Sequence, residues 1–389
     1  MTTLETAPTT VDAADPTPDA APASDLMATP RPDAPAEVVA ERLVSAAIGA
    51  MELMAVYLGD RLGWYRALAD HGPLSSVELA RLTGTAERYA REWLEHQAAS
   101  GYLDVDDVAG QATERAYRLH AGAAEAMTDP DSLNHVAPVS GFLAAAGRVA
   151  PRLLDAYRTG GGVPWAEFGA DARQAQAALN RPLFLHQLAQ EVVPALPELH
   201  ERLLAGARVA DIGCGEGWSA IGLARAFPRV VVDGYDVDEP SVVAARRHAS
   251  SSGVAERTTF ATADAGALGA DLRGTYDVVA AYECVHDMGD PVGVLAGMRE
   301  LAAPGGYVLV MDERTEESFT APAGPAERMF YGYSLICCLP DGLSHDGGVG
   351  TGTVLRPSTL EAYARDAGFS AVEVLPVEHE MFRFYRLHL

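Results

Sequence analysis

Residues 208–238 read RVADIGCGEGWSAIGLARAFPRVVVDGYDVD, and this stretch decides the fold. A short apolar run leads into three glycines at alternate positions, a helix-like segment follows, and a second apolar run ends in acidic residues. This order predicts a strand, a glycine-rich turn, a helix and a second strand, the first half of a doubly wound nucleotide-binding sheet. Glycine suits such a turn because it tolerates unusual backbone angles and lets a ligand approach the main chain. The stretch therefore predicts a site for a nucleotide-like cofactor.

Alternating strand and helix patterns continue to the end of the chain. Strands are predicted at 209–212, 230–235, 258–261, 277–282, 306–312, 371–374 and 381–387, and helices at 218–226, 240–252, 291–301 and 359–367. Such alternation favours an α/β fold with a Rossmann-like, doubly wound, mostly parallel seven-stranded sheet. Ligands of such sheets bind beyond the carboxyl ends of the strands. Functional residues are therefore expected at 211–218, 236–238, 262–265, 282–288 and 312–314, with an insertion at 314–353 lying over the same edge.

The composition excludes several classes of partner. The 389 residues include 54 Asp and Glu against 29 basic residues, all of them arginine, for a formal net charge of −25. Phosphate backbones and anionic membranes would repel such a chain, so neither is predicted as a partner. The four cysteines form no CxxC pair and no ligand spacing with histidine, which predicts no metal site and no disulfide. No signal-peptide pattern is present and no stretch approaches about 18 apolar residues, which predicts a cytoplasmic protein.

The N-terminal half divides by composition into three parts. Residues 1–35 are rich in Thr, Ala, Pro and Asp and are predicted to be a disordered tail. Residues 36–130 show an apolar helical stripe, helices at 75–82 and 87–100, and strands at 102–105 and 116–119, the order of a winged helix. Thirteen acidic residues against eight arginines between Glu37 and His120 favour dimerisation or substrate covering over DNA binding. Residues 131–205 are predicted as a helical connector to the cofactor domain, residues 206–389.

Acidic residues mark the ends of the first three strands of that domain. Asp211, Asp236 and Asp264 suit a cofactor with ribose hydroxyls and an amino-bearing base. A polyphosphate fits poorly, because no basic residue accompanies these acids and no Gly-Lys-Ser/Thr motif is present. Adenosine without phosphates is the better prediction.

At these residues the chain resembles the class I S-adenosylmethionine-dependent methyltransferases. The resemblance is carried by Asp211-x-Gly213-x-Gly215-x-Gly217, by Asp236, by Ala-Asp-Ala at 263–265 and by LAAPGG at 301–306. LGDRLG at 58–63, EWL at 92–94 and HDMGDP at 286–291 are similar to the bacterial small-molecule subgroup with a winged-helix N-terminal domain. The resemblance implies methyl transfer from S-adenosylmethionine to a small molecule.

It also implies a cofactor site. The residues that would contact the cofactor are Asp211, Gly213, Gly215 and Gly217 at the methionine part, Asp236 and Val237 at the ribose, Asp264 and Ala265 at the adenine, and Glu283 through its backbone carbonyl.

A candidate base follows the fourth strand. His286-Asp287 resembles the Cys-His-Asp-Trp element of plant-type small-molecule O-methyltransferases, whose histidine is the general base, and Asp312 stands where an acid steadies that histidine. A hydroxyl acceptor must lose its proton, and histidine suits this near neutral pH. Two alternatives stay open, because Asp287 could instead cap the following helix and His379 is a second possible base.

Four apolar or aromatic residues are candidates for lining the substrate pocket: Phe142, Trp165, Met329 and Tyr333. The helical stripe around 329–338 fits a lid over an aromatic acceptor as well as plain core, and Cys337 and Cys338 are expected to be small buried residues. The predicted function is methylation of a phenolic or enolic oxygen of a secondary metabolite. A homodimer formed through the N-terminal domain is a further expectation. The alternatives are decarboxylation or rearrangement by an adenosylmethionine-binding enzyme, and a winged-helix regulator.

Overall fold

The computed structural model describes residue 29 and residues 33–389, so the predicted tail falls almost wholly outside the described residues. The α-helices are α1 Ala36–Arg61, α2 Trp64–His71, α3 Ser76–Thr83, α4 Glu87–Ala99, α5 Ala121–Thr128, α6 Val139–Thr159, α7 Trp165–Pro182, α8 Pro197–Ala205, α9 Trp218–Ala226, α10 Glu239–Ser251, α11 Pro291–Leu301, α12 Pro325–Tyr333, α13 Leu339–Gly342 and α14 Pro357–Asp366. The strands are β1 Leu103–Val105, β2 Tyr117–Leu119, β3 Arg208–Ile212, β4 Val231–Asp236, β5 Thr258–Thr262, β6 Tyr276–Tyr282, β7 Ala302–Glu313, β8 Ala371–Val374 and β9 Phe382–His388. Two π-helical segments are Leu183–Val192 and Ser334–Cys338.

Seven strands form one sheet in the order β5-β4-β3-β6-β7-β9-β8. The first five are parallel, whereas β9 pairs antiparallel with both β7 and β8. The predicted sheet is confirmed, with strand ends shifted by a few residues. The chain leaves β3 for β4 on one side and later reaches β6 on the other, so the strand order reverses beside β3. Ligands of open α/β sheets bind at such a reversal, beyond the carboxyl ends of the strands.

Alternation along the central strand builds a core on each face of the sheet. Val209 packs in the cluster that includes Ile221 of α9, whereas Ile212 packs in the cluster that includes Leu295 of α11. Successive side chains of a strand point to opposite faces, so a strand buried on both faces reads as a continuous apolar run. This explains why Val209, Ala210 and Ile212 are all buried.

The N-terminal region has the predicted order of helices and hairpin. Ser75 caps α3 with a capping box completed by Glu78, and β1 pairs antiparallel with β2. The structure adds α2, which the sequence did not predict. This short helix buries Trp64 and Tyr65 against Trp93 of α4, with ring centroids 4.9 and 5.0 Å from that ring. Gly63 begins α2 in the left-handed conformation at φ 70°, so α1 and α2 are separated by a sharp turn.

Helix α1 departs from the sequence prediction, because its apolar stripe is mostly exposed. Its buried residues are Val56 and Gly59, whereas Met51 and Leu58 are 66% and 48% exposed. Residues 49–389 form one compact unit, and the part of α1 up to Ile48 falls outside it. By length and composition α1 could cross a membrane, with a mean hydropathy of 1.4 over 18 residues. The expectation that no stretch approaches this length is therefore wrong for α1.

The connector and the insertion contribute to a separate apolar cluster. Its members come from α6, α7 and the π-helical segment Ser334–Cys338, and include Phe142, Phe168 and Cys338. Helix α6 ends at Thr159 and α7 begins at Trp165, so the three glycines at 160–162 lie in the connection between the two helices. The insertion is helical over α12, the π-helical segment and α13.

Candidate active site

The glycine turn after β3 is tied to the end of the neighbouring strand. Gly213 and Cys214 donate their N–H groups to the Tyr235 carbonyl at 2.8 and 3.2 Å. Gly213, Gly215 and Gly217 have φ of 67°, 51° and 84°, which side chains with a Cβ rarely adopt. A Cβ at Gly217 would lie 2.9 Å from Phe260, whereas one at Gly215 would meet no atom within 4 Å. The turn is therefore closely packed at Gly217 and open at Gly215.

Asp236 joins this turn to the loop after β4. Its Oδ2 accepts the Gly215 N–H and its Oδ1 accepts the Asp238 N–H, both at 2.8 Å. Burial raises the pKa of Asp236 despite these two bonds. Asp238 is in turn bound by the Arg173 guanidinium, with Nε–Oδ2 at 2.6 Å and Nη2–Oδ1 at 2.7 Å. Asp236, which is predicted to bind the ribose, therefore also holds the glycine turn and the loop after β4 in place.

Asp211 is buried at the carboxyl end of β3, with 1% of its surface exposed. Ser219 donates a hydrogen bond to Oδ2 at 2.5 Å, whereas Oδ1 is buried without any hydrogen-bond partner. Burial raises the pKa of Asp211 to about 7. A buried carboxylate oxygen without a partner suits a cationic group such as an ammonium. Together with the open space at Gly215, this fits the amino acid part of S-adenosylmethionine.

The residues predicted for the adenine and ribose lie at the same edge. Asp264 follows β5 and accepts the Gly266 N–H at 2.8 Å, which starts a short turn containing the buried Ala265. Val237 follows β4 and is 67% exposed, so its apolar side chain is available to a ligand. Because β4 and β5 are parallel neighbours, these residues extend the site beyond Asp236.

A second group of polar residues lies where β6 and β7 end. His286 lies in a turn after β6, and its Nδ1 is 2.8 Å from Oδ1 of Asp312 and 3.0 Å from Oε2 of Glu313. The three residues are 2%, 1% and 5% exposed. Since β6 and β7 are adjacent parallel strands, the histidine and both acids meet at one edge of the sheet. The sequence predicted the pairing with Asp312 and missed Glu313.

The charges in this group shift one another's pKa. Burial opposes protonation of His286, but Asp287, Asp312 and Glu313 together raise its pKa well above the usual value. Burial favours the neutral form of Asp312, yet the charge and hydrogen bond of His286 lower the pKa of that carboxyl. Burial raises the pKa of Glu313 well above its usual value. The arrangement therefore favours an ionised Asp312 that holds Nδ1–H, and Nε2 can accept a proton only at pH values above the raised pKa of His286.

Asp287 lies on the other side of the imidazole. Its Oδ1 is 3.3 Å from Nε2 of His286, and this oxygen is buried without a hydrogen-bond partner. The alternative role, capping of the following helix, is wrong. Asp290 caps α11 by accepting the Gly293 N–H at 2.8 Å.

The side chain of Glu283 also interacts with this group, whereas the sequence predicted only a contact between its backbone carbonyl and the cofactor. It is the one non-glycine residue in the described part of the chain with positive φ, at 53°. Its N–H donates to the Met311 carbonyl at 2.7 Å, and its side chain is hydrogen-bonded to Asn180. Burial raises the pKa of Glu283 to about 7, and the charge of His286 opposes this shift. A residue held in this conformation costs about 1 to 3 kcal/mol and is typical of functional sites.

Cys284 connects the two halves of the site. Its thiol donates to the Ile212 carbonyl at 3.3 Å, and a Cβ on Gly213 would lie 2.7 Å from its sulfur. Glycine at 213 therefore allows the loop after β6 to pack against the cofactor turn. The cofactor residues and the His286 group lie on either side of this contact.

Three of the four predicted substrate-lining residues meet in one apolar cluster. The rings of Phe142 and Tyr333 pack edge to face with centroids 5.0 Å apart, and Trp165 packs in the same cluster beside Cys338. Burial raises the pKa of Tyr333 to about 12, and the charge of Glu283 adds to the shift. Met329 is 43% exposed and is not part of this cluster.

Cys338 and His379 differ from what the sequence indicated. Cys338 is buried, as expected, but its thiol contacts both His286 and Asp287. His379 accepts the N–H groups of Met381 and Phe382 through Nδ1 at 3.1 Å, so this nitrogen closes a turn. That nitrogen is therefore unavailable as a base.

Comparisons with known proteins agree with this architecture. A methyltransferase domain family model matches residues 203–331, and a model described as an Rv2258c-like winged HTH domain matches residues 49–129. The chain is 30% identical over 186 residues to the ubiquinone biosynthesis O-methyltransferase of Pseudomonas aeruginosa, covering 47% of this chain and 74% of that protein. The structure is similar to mitomycin 7-O-methyltransferase at a TM-score of 0.66 and 23% identity, covering 91% of this chain and 98% of that one. Human N-acetylserotonin methyltransferase, solved with S-adenosylmethionine, also gives 0.66, at 18% identity and 92% and 99% coverage.

Proposed function

Because the chain belongs to the class I S-adenosylmethionine-dependent methyltransferases, with an N-terminal winged-helix domain, we propose that it methylates a phenolic or enolic oxygen of a small molecule. The observation that carries this proposal is the pairing of His286 Nδ1 with Asp312 Oδ1 at 2.8 Å. A hydroxyl acceptor must lose a proton as it attacks, whereas an amine or sulfide acceptor can attack with its own lone pair. An oriented histidine base is therefore most useful for an oxygen nucleophile.

The base acts through the nitrogen that Asp312 does not hold. With Nδ1–H donated to the Asp312 carboxylate, Nε2 carries the lone pair that accepts the proton of the acceptor hydroxyl. The imidazolium formed in this step lies among the carboxyl groups of Asp287, Asp312 and Glu313, which stabilise it. The cofactor supplies the sulfonium-bound methyl group. The protein contributes alignment of the acceptor oxygen with that methyl group and removal of the proton.

The acceptor is inferred to be aromatic from the cluster beside the base. Trp165 and Tyr333 are partly buried aromatic residues packed against the cluster that contains Cys338, and Phe142, 2% exposed, packs edge to face against Tyr333. The thiol of Cys338 contacts His286. Ligand pockets of this kind combine aromatic walls with a few polar groups that fix orientation. The related ubiquinone biosynthesis O-methyltransferases and mitomycin 7-O-methyltransferase are by name O-methyltransferases, which supports an oxygen acceptor.

The cofactor residues are assigned from their positions at the strand ends. Asp211 binds the amino group, the turn with Gly213, Gly215 and Gly217 accommodates the methionine part, and Asp236 with Val237 contacts the ribose. Asp264 and Ala265 contact the adenine, and Glu283 contacts the cofactor through its backbone carbonyl. The unpartnered Oδ1 of Asp211 and the open backbone at Gly215 support this assignment.

Phenols, catechols and quinols offered with S-adenosylmethionine test the proposal. Mass spectrometry should find a product heavier by one methyl group together with S-adenosylhomocysteine in equal amount. Matched anilines and thiols serve as controls for the methylated atom. Methylation of the anilines or thiols with none of the hydroxyl compounds turned over would contradict the proposal.

The N-terminal domain is proposed to mediate dimerisation rather than to bind DNA. On α4, Arg88 pairs with Glu92 and Arg91 pairs with Glu87, so these arginines are neutralised by their own helix. The exposed Met51 and Leu58 of α1 offer apolar surface for a second copy of the chain. Light scattering after size-exclusion chromatography should give the mass of a dimer, and replacing both residues by Glu should give a monomer. A monomer in the unmodified protein would contradict the dimer.

A further inference from the structure

Three potential metal ligands converge on one side of the His286 imidazole. A ring nitrogen of His286, a carboxylate oxygen of Asp287 and the Cys338 sulfur all lie within 4.8 Å of one another. Nε2 of His286 and Oδ1 of Asp287 are 3.3 Å apart. The first two residues come from the turn after β6, and the third ends the π-helical segment Ser334–Cys338.

These residue types and this spacing suit a tetrahedral zinc-type cation. Imidazole nitrogen, carboxylate oxygen and thiolate sulfur are the three ligand types that Zn²⁺ takes in proteins. Two ligands with bonds of about 2.0 to 2.1 Å lie about 3.3 Å apart around a tetrahedral centre. That value equals the observed separation of Nε2 and Oδ1. Three protein ligands leave the fourth position for water.

The surroundings of these atoms independently favour a cation. Metal-bound histidines almost always donate their other N–H to a carboxylate, a backbone carbonyl or water, and Nδ1 of His286 meets the Asp312 carboxylate at 2.8 Å. Oδ1 of Asp287 is buried without a hydrogen-bond partner, and Oε2 of Glu313, on a side chain 7% exposed, has its 3.0 Å contact with the same imidazole through Nδ1. The group thus holds more carboxyl groups than its one imidazole can pair.

We propose that His286, Asp287 and Cys338 form a binding site for zinc-type divalent cations and that occupation of this site stops methyl transfer. On binding, the Cys338 thiol loses its proton to solvent and its sulfur bonds to the metal. His286 binds through the Nε2 lone pair and keeps Nδ1–H on Asp312. Inhibition follows because the Nε2 lone pair that bonds to the metal can no longer accept the proton of the acceptor hydroxyl. Inhibition rests on the proposed function, whereas metal binding does not.

Cobalt(II) is the probe for the metal site, because thiolate ligation gives it a near-ultraviolet charge-transfer band and tetrahedral coordination gives it intense visible bands. The full-length protein should show both with one equivalent of Co²⁺, and Zn²⁺ should remove them. Cys338→Ser should abolish the charge-transfer band. Cys337→Ser is the matched control, because Cys337 is an equally buried neighbouring cysteine outside the ligand group, and it should retain the band.

A charge-transfer band that persists in Cys338→Ser, or that is lost equally in Cys337→Ser, would overturn the metal site. Asp287→Asn provides a second variant, and its cobalt affinity should fall at least tenfold while its melting temperature is recorded to show that it folds. Unchanged affinity in this variant would also overturn the site.

The inhibition is tested separately by methyl transfer with added Zn²⁺. Activity should fall with occupancy, return on chelation, and be at least tenfold less sensitive to Zn²⁺ in Cys338→Ser than in Cys337→Ser. Metal binding without loss of activity would overturn the inhibition and the role of His286 as base, while leaving the metal site standing. If no hydroxyl acceptor is methylated, the proposed function fails and the cobalt spectrum still decides the metal site.

Discussion

Nδ1 of His286 lies 2.8 Å from Oδ1 of Asp312, with both side chains almost completely buried at the ends of adjacent parallel strands. This pairing fixes the tautomer of the imidazole and leaves Nε2 for the acceptor proton. It is the relationship on which the proposed chemistry depends, and the first two predictions test it directly.

Replacing His286 by Ala should lower kcat about 10² to 10⁴-fold, the usual contribution of a general base. The affinity for S-adenosylmethionine, measured by calorimetry, should change little, because none of the proposed cofactor contacts is lost. His388→Ala is the control, since this histidine lies on β9, pairs with Glu373 of β8 and should leave kcat unaltered. A variant at His286 with normal turnover would remove it from the mechanism.

Asp312→Asn should shift the pH dependence as well as lower the rate. Against the effect of burial, Asp287, Asp312 and Glu313 raise the pKa of His286, so the base is free only at pH values above that raised pKa. Removing the Asp312 charge lowers the pKa of His286, and the acid limb of the kcat/KM profile should move to lower pH while the plateau falls. A lower plateau with an unmoved acid limb would contradict this reasoning.

Cofactor affinity should increase with pH through the ionisation of Asp211. Burial raises the pKa of Asp211 to about 7, and an ammonium group binds the ionised carboxylate. Kd for S-adenosylmethionine should therefore fall about tenfold between about pH 5.5 and 7.5, below the pH of about 7.7 to 8.0 at which an α-amino group such as the cofactor's is half deprotonated. Calorimetry across this range is the measurement.

Asp211→Asn should bind more weakly and lose this pH dependence. Glu216→Gln is the control, because burial also raises the pKa of Glu216 to about 7. If the pH dependence of Kd disappears in Glu216→Gln and persists in Asp211→Asn, the titrating group is Glu216 and the assignment to Asp211 is contradicted.

Asp236→Asn should weaken cofactor binding about 10 to 100-fold. The carboxylate accepts N–H groups from Gly215 and Asp238, and hydrogen bonds to a charged group contribute about 1.5 to 3 kcal/mol each. Asp277→Asn is a matched control, since Asp277 also accepts a backbone N–H, from Arg208 at 2.8 Å, but at the amino ends of the strands. Equal loss of affinity in both variants would mean that the effect is one of general stability.

Gly217→Ala should destabilise the fold more than Gly253→Ala. Both glycines have positive φ, 84° and 70°, so both substitutions strain the backbone by about 1 to 2 kcal/mol. A Cβ at 217 would also lie 2.9 Å from Ala245 and Phe260, whereas one at 253 meets nothing within 4 Å. Thermal unfolding should give a clearly lower Tm for Gly217→Ala, and equal Tm values would contradict the packing described at this turn.

The sequence by itself determined the sheet and the position of the cofactor site. Strand periodicity and the glycines at 213, 215 and 217 are local properties, and the carboxyl ends of parallel strands must meet at one edge. For this reason Asp211, Asp236 and Asp264 could be assigned to that edge without coordinates. The pairing of His286 with Asp312 was implied by the resemblance to plant-type O-methyltransferases, and the sheet permits it because His286 follows β6 and Asp312 lies at the end of the adjacent β7.

Only the tertiary structure decided which side chains share the space around His286. The conformation of Glu283, the second acid at Glu313 and the approach of Cys338 depend on how the insertion packs over the sheet, and no local pattern in the sequence encodes those distances. The exposure of α1 has a similar cause, because periodicity identifies an apolar face but not what covers it. Local propensity and strand order therefore fix the cofactor end of the site, whereas packing between distant segments fixes its chemistry.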